Sequence, residues 1–333
     1  MHDVVNESVL QSAHAGLIPA LWLKPRFDES GVPYHFNRKL LRKQVKQWLG
    51  VLPMETIRPL YAQFVVDHFV HNPMLDVCMK QLAQFSFFAI FIYLQECELR
   101  QGRQGVLVSD IWKTLEAGAQ LAPFTKLTNV TRVRQMMETI KDMGWVESLS
   151  ETRTRSTRYL VGPSIYGVFE RYFSGIIEIF EQVRLLTRPE GFFLRPALIG
   201  QIMGVYVSCY RDYGYVLVED YPEIRAVMDI DYGYVIMMQL MTSVKNHGSH
   251  HRMSCNISEF SEKLAISRLT IKRTLKKLQD YFGIVLGRGG EDIIVSEAII
   301  QRSDQWIVQE LCWDFGLLSQ VMGSYSAAQL GGK

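Results

Sequence analysis

The chain has 333 residues, 48% hydrophobic and 21% charged, with 36 Lys/Arg against 34 Asp/Glu for a net charge of +2. That composition argues against wholesale disorder, and the length suffices for two domains with cores of their own. Five cysteines, an odd number at no regular spacing, argue against a disulfide framework and imply reduced thiols in a cytoplasmic protein.

Residues 1–37 scatter Pro, Gly and His without period and read as an arm, which extends to residue 51. With no basic region followed by a long apolar run, no secretion signal is expected. A helical segment is predicted over about 52–72. The longest apolar run, FSFFAIFIYL (85–94), has half the ~20 residues that a spanning helix needs, so a buried helix and no membrane contact are expected. VSDIWKTL (108–115) predicts a further helix, and EAGAQLAPFTKLT (116–128) an enlarged loop. Asn129 is a natural N-cap for NVTRVRQMMETIKDMGW, where Val133, Met137 and Ile140 form an apolar stripe. WVESLSETRTRSTRYLV (145–161) alternates as two strands around a polar tip holding Arg153, Arg155 and Arg158. An apolar helix over 164–183 follows, and TRPEGFFLRP (187–196) interrupts the helical patterning before a segment over about 192–212.

In the second half, NHGSHHRMSC (246–255) gathers His247, His250, His251 and Cys255 but reads as a solvated loop, and no metal is assigned. NISEFSEKL (256–264) predicts a short helix with Ser258 as cap and Phe260 and Leu264 on its apolar side. A three-residue turn leads to a second helix, capped by Ser267. Ile271, Leu275 and Leu278 form its apolar stripe, and Arg268, Lys272, Arg273, Lys276 and Lys277 fall largely on the other faces. GIVLGRGGEDIIV (283–295) reads as a hairpin carrying Arg288, in the position of a wing. An apolar helix over 298–318 and a tail over 324–333 close the chain.

The halves align with each other. At a shift of 149 the match runs without gaps over 73–115, setting Pro73 on Pro222, Met79 on Met228 and VSDIWKTL on ISEFSEKL. At a shift of 138, Asn129 takes the place of Ser267, Arg134 that of Lys272, and Val133, Met137 and Ile140 those of Ile271, Leu275 and Leu278. Charge follows the repeat. Residues 263–288 hold seven Lys/Arg and one acid, and residues 126–158 seven Lys/Arg and four acids. With +6 and +3 there and +2 overall, the remainder carries −7, so positive charge is concentrated in two stretches, as a localised phosphate-binding surface requires.

Helix, turn, helix and wing over 256–295, its diverged copy at 108–161, and apolar helices flanking each copy resemble two MarR-type winged helix-turn-helix subunits fused in tandem over about 52–320. The resemblance is architectural. It implies a mainly α fold with small β-hairpin wings and two units, 52–187 and 188–323, whose end helices would supply inside one chain the interface that such subunits normally form as dimers. The chain is thus expected to act as a monomeric covalent pseudo-dimer, a nucleoid-associated transcriptional regulator of double-stranded DNA. Candidate DNA contacts are Asn129, Thr131, Arg132, Arg134, Arg153, Arg155 and Arg158 in the first unit. In the second they are Ser267, Arg268, Thr270, Lys272, Arg273, Lys276, Lys277 and Arg288. A small-molecule effector between end helices and winged domain is implied by the resemblance alone. Two alternatives stay open: a plasmid-type replication initiator, which also carries tandem winged helices, and a winged-helix scaffold for protein contacts. No Ser/His/Asp or Cys/His constellation has motif support, and GRGGED follows a helix rather than a strand, so neither catalysis nor a cofactor is expected.

Overall fold

The computed structural model describes residues 23–25, 34–70, 105–121, 130–149, 157–186, 188, 192–215, 217–247, 250–287 and 292–331. The apolar run at 85–94 and most of the stretch matched at a shift of 149 lie outside them.

Among the described residues the chain is mainly helical, with three small antiparallel sheets. A hairpin, β1 (Leu23–Pro25) and β2 (Tyr34–Phe36), precedes α1 (Arg38–Val51) and α2 (Met54–Val70). Then come β3 (Val106–Leu107), α3 (Val108–Leu121), α4 (Val130–Asp142), β4 (Val146–Ser148), β5 (Arg158–Val161) and α5 (Ser164–Gln182). The second half holds α6 (Pro196–Tyr213), α7 (Pro222–Met228), α8 (Gly233–Met241), β6 (Lys245–His247), β7 (His250–Ser254), α9 (Ile257–Lys263) and α10 (Arg268–Phe282). It ends with β8 (Val285–Leu286), β9 (Asp292–Ser296) and the long helix α11 (Glu297–Gly331).

The expected arm over 1–51 is shorter than its sequence suggested. Asn37 caps α1, its Oδ1 accepting from the Leu40 amide at 3.1 Å. Leu41, Val45 and Trp48 are buried where α1 packs on α11, with Trp48 edge-on to Phe315. A helix with three large apolar residues on one face has to bury that face, and Phe36 and α1 belong to the core.

The core is organised around α11. From Ser303 to Leu318 almost every position of this helix is buried, so it is enclosed on all sides. Its carboxyls are therefore matched one by one. Asp304 receives a bidentate pair from Arg58 of α2, at 2.7 and 2.8 Å. Glu310 accepts from Tyr61 of α2 and, at 3.1 Å, from Tyr234 of α8. Asp314 accepts from Tyr172 of α5 and Tyr206 of α6, both at 2.9 Å. Four tyrosines from four helices thus converge on two carboxyls one turn apart. Asp314 is sealed from solvent, whereas Glu310 keeps a partial opening. Desolvation pushes Asp314 up to about 7 and Glu310 up to about 8, against the donating hydroxyls, which favour the charged forms.

Two segments share one path. In the first, β3 leads through α3 and α4 to the β4–β5 hairpin, and β5 lies between β3 and β4. In the second, β7 leads through α9 and α10 to the β8–β9 hairpin, and β9 lies between β7 and β8, with β6 added outside β7. The helix starts at Val108 and Ile257 correspond at the shift of 149.

Three local expectations need correction. The loop predicted from residue 116 begins as helix: α3 runs on to Leu121, and only 122–129 lie outside the described residues. The cap of α9 is Asn256, not Ser258, because the Asn256 Oδ1 accepts from the amides of Ser258 and Glu259 at 3.0 and 3.1 Å. The histidine-rich stretch is a hairpin, not a solvated loop. His251 is buried and its Nε2 is hydrogen-bonded to Glu297, and Cys255 is fully buried. Cys209, Cys255 and Cys312 are buried and take part in no disulfide, and among the described residues no His/Cys/Asp/Glu cluster could hold a metal.

Candidate nucleic-acid interface

The position of α10 is set from behind. Ile271 and Leu278 are fully buried, and Leu275, Phe282 and Thr274 nearly so. The Thr274 hydroxyl donates to the carbonyl of Asp231 at 3.0 Å, pinning the helix to the turn between α7 and α8. The turn before it is held by the Ser261 hydroxyl donating to the Ile266 carbonyl at 2.7 Å, with Ala265 in the left-handed region at φ 52°. The helix ends at Gly283, whose φ of 71° is the left-handed C-terminal conformation that glycine adopts without a steric penalty.

With the core face held, the opposite face looks outward. At about 100° per residue, Leu269, Arg273 and Lys276 fall within one sector of about 60°, opposite Ile271 and Leu278. Lys272 and Lys277 flank that sector and Arg268 stands at its N-terminal edge. Arg268, Lys272, Arg273, Lys276 and Lys277 are all exposed, and none has an ion pair or side-chain hydrogen bond within the described residues. Five exposed cations on the outward half of one helix, against one acid (Asp280) in the same sector near its C-terminal end, make a surface that a polyanion can neutralise.

Not every candidate on this helix is free. The Ser267 hydroxyl caps it, accepting from the Thr270 amide at 3.1 Å and sharing a 2.9 Å hydrogen bond with the Thr270 hydroxyl, so both side chains are engaged locally. Lys263, counted in the basic stretch, faces the body, its Nζ donating to Gln63 of α2 at 3.0 Å. The β8–β9 hairpin closes with the Gly287 amide donating to Asp292 at 2.7 Å, and Arg288 lies outside the described residues.

In the first unit Val133, Met137 and Ile140 are fully buried, as their register with Ile271, Leu275 and Leu278 requires. Thr131, Arg134 and Gln135 are exposed on α4. Arg132 lies on the same helix but its side chain is outside the described set, as are Asn129, Arg153 and Arg155. Arg158 is not at the wing tip. It lies in β5 opposite Leu107, and its Nη1 donates to the carbonyl of Gly105 at 3.0 Å, so the guanidinium braces the sheet. Glu138, at the place of Lys276, accepts from the Tyr159 hydroxyl at 3.1 Å.

Two exposed features went unread in the sequence. Leu269 sits on the outward face of α10 at 57% exposure. Lys39, Lys43 and Lys46 form an exposed stripe on α1, while Arg38 and Arg42 on the same helix are paired with Asp220. The four- and three-residue spacing of those lysines was the available signal, hidden by assigning residues 38–51 to an arm. No described helix is long and apolar enough to cross a membrane. Comparison with protein-family models, curated proteins and solved structures finds no match for this chain.

Proposed function

We propose that this chain is a sequence-specific, double-stranded DNA-binding transcriptional regulator, built as tandem winged helix-turn-helix units and acting from the cytoplasm on the nucleoid. The observation that carries the reading is the outward face of α10, whose five exposed cations have no ion pair or side-chain hydrogen bond among the described residues while its inward face is locked in the core. Keeping five like charges within one helix has a repulsive cost that a phosphate backbone offsets. In this reading α10 enters the major groove with its first turn leading, Arg268 and Arg273 address base edges, and Lys276 and Lys277 meet phosphates. The shared strand order of the two small sheets supports a duplicated unit, and α4 supplies the second, weaker reader. The convergence of α2, α5, α6 and α8 on α11 supports a monomer whose halves are joined internally, in the manner of MarR-type dimers.

The test is a salt titration of the purified full chain on selected and random duplexes, with light scattering on free and bound protein. Affinity should fall linearly in log–log form with salt, with one chain per site. Binding absent at low salt, or indifferent to salt, overturns the reading, and a dimer that persists at low concentration overturns the internal pseudo-dimer.

A further inference from the structure

We infer that Leu269 is a specificity residue, placed to read the 5-methyl group of one thymine in the major groove. The inference rests on the DNA-binding reading above and deepens it. Leu269 is the second residue of α10 and is 57% exposed, although a leucine contributes nothing to the cap and nothing to the core from this position. It lies at the outward pole of the helix, directly opposite Ile271 and Leu278, and in the first turn, the part of a recognition helix that reaches base edges. Arg268 precedes it, and Lys272 and Arg273 stand three and four residues on, the spacing that sets side chains beside one another on a helix surface.

That surrounding selects the ligand. A protein partner offering an apolar pocket to Leu269 would also have to desolvate the adjoining cations, which is costly without matching carboxylates. The floor of the major groove offers both requirements at once. The thymine methyl is the one apolar group there, and purine N7 and O6 acceptors on neighbouring pairs suit the adjacent arginines. A leucine has neither donor nor acceptor, so methyl burial is the only discrimination it can supply. In the first unit the equivalent position at the shift of 138 is Thr131, also exposed and shorter, so the methyl effect should be larger in the half-site read by α10.

The experiment uses the full chain and the best duplex obtained by in vitro selection, replacing each thymine singly by deoxyuridine, which removes the methyl and leaves every hydrogen-bonding group. Wild type should lose about fourfold in affinity at one position of the stronger half-site, the factor that corresponds to removing one buried methyl-sized group. Leu269→Ala should bind thymine and uracil equally there, while keeping the wild-type salt slope, and Leu269→Met should restore discrimination. Retention of the thymine/uracil ratio by Leu269→Ala, or indifference of the wild type to uracil at every position, overturns the assignment and leaves DNA binding standing. Absence of any salt-dependent binding overturns the parent reading and the assignment together.

Discussion

The helices α4 and α10 are built on the same inward pattern and differ on the outward side. Val133, Met137 and Ile140 are as buried as Ile271, Leu275 and Leu278, and each triad fixes its helix against the neighbouring helices and the small sheet beside it. Outward, α10 presents five exposed cations and Leu269, whereas α4 presents Thr131, Arg134 and Gln135 and commits Glu138 to Tyr159. The difference teaches that the buried face sets where such a helix stands and leaves the exposed face free to change. Under the proposed function, a scaffold kept in two copies would concentrate its binding strength in one.

The comparison can be broken first at the cores. Leu278→Ala and Ile140→Ala remove fully buried side chains and should each cost ~2–5 kcal/mol, measured by urea unfolding. A negligible cost for one of them would show that only one helix is locked by its triad.

The next largest effect tests whether both units depend on the seam along α11. Asp314 and Glu310 have folded values of about 7 and about 8 against ordinary values of 3.8 and 4.5, raised by burial. The native state therefore holds protons that the unfolded chain has released between those limits. Their stabilisation is complete below about pH 4, declines as pH rises, and is lost above about pH 8. For Asp314, the sealed carboxyl, this amounts to a few kcal/mol by order of magnitude. Chemical denaturation from pH 5 to 9 should show a falling stability, and Asp314→Asn should flatten it. A curve of the same slope in that variant would remove the seam as the cause.

The proposed DNA binding offers a sharper contrast between the helices. Arg273→Ala should weaken binding by ~1–3 kcal/mol, and Gln135→Ala at the equivalent position by less than that, read by fluorescence anisotropy at fixed salt. Equal losses would contradict the asymmetry. Lys276→Gln with Lys277→Gln should reduce the salt slope by up to ~0.9 per lost phosphate contact, and Glu138→Gln should leave it unchanged. An unaltered slope in the double variant would place those lysines off the backbone.

The smallest effect concerns the turn. Ala265 carries φ 52°, a conformation that costs an L-residue roughly 1–2 kcal/mol and glycine nothing. Glycine's extra freedom in the unfolded chain returns ~0.4–1 kcal/mol of that. Ala265→Gly should therefore stabilise by up to ~1 kcal/mol without changing DNA affinity. A destabilised variant would show that the turn is not strained.

Periodicity alone determined the local elements of this protein. An apolar residue every three or four positions defines the face a helix must bury, so the triads of α4 and α10, the hairpins after them and the cap at Ser267 were legible in one dimension. The basic face of α10 was legible for the same reason, since residues not on the buried stripe have to point elsewhere. Only the tertiary structure decided which polar groups are already spoken for. Lys263 counts towards the basic stretch until Gln63, 200 positions away, accepts from it, and Arg158 reads as a wing cation until Gly105 does the same. Asn256 displaced Ser258 as a cap because capping depends on where the backbone turns, not on which residue types stand nearby. The carboxyls of α11 are the extreme case. Their four tyrosines come from helices between 76 and 249 residues away in the chain. No local pattern encodes such a meeting, because burial of a polar group is satisfied by whichever partners folding brings within hydrogen-bond reach.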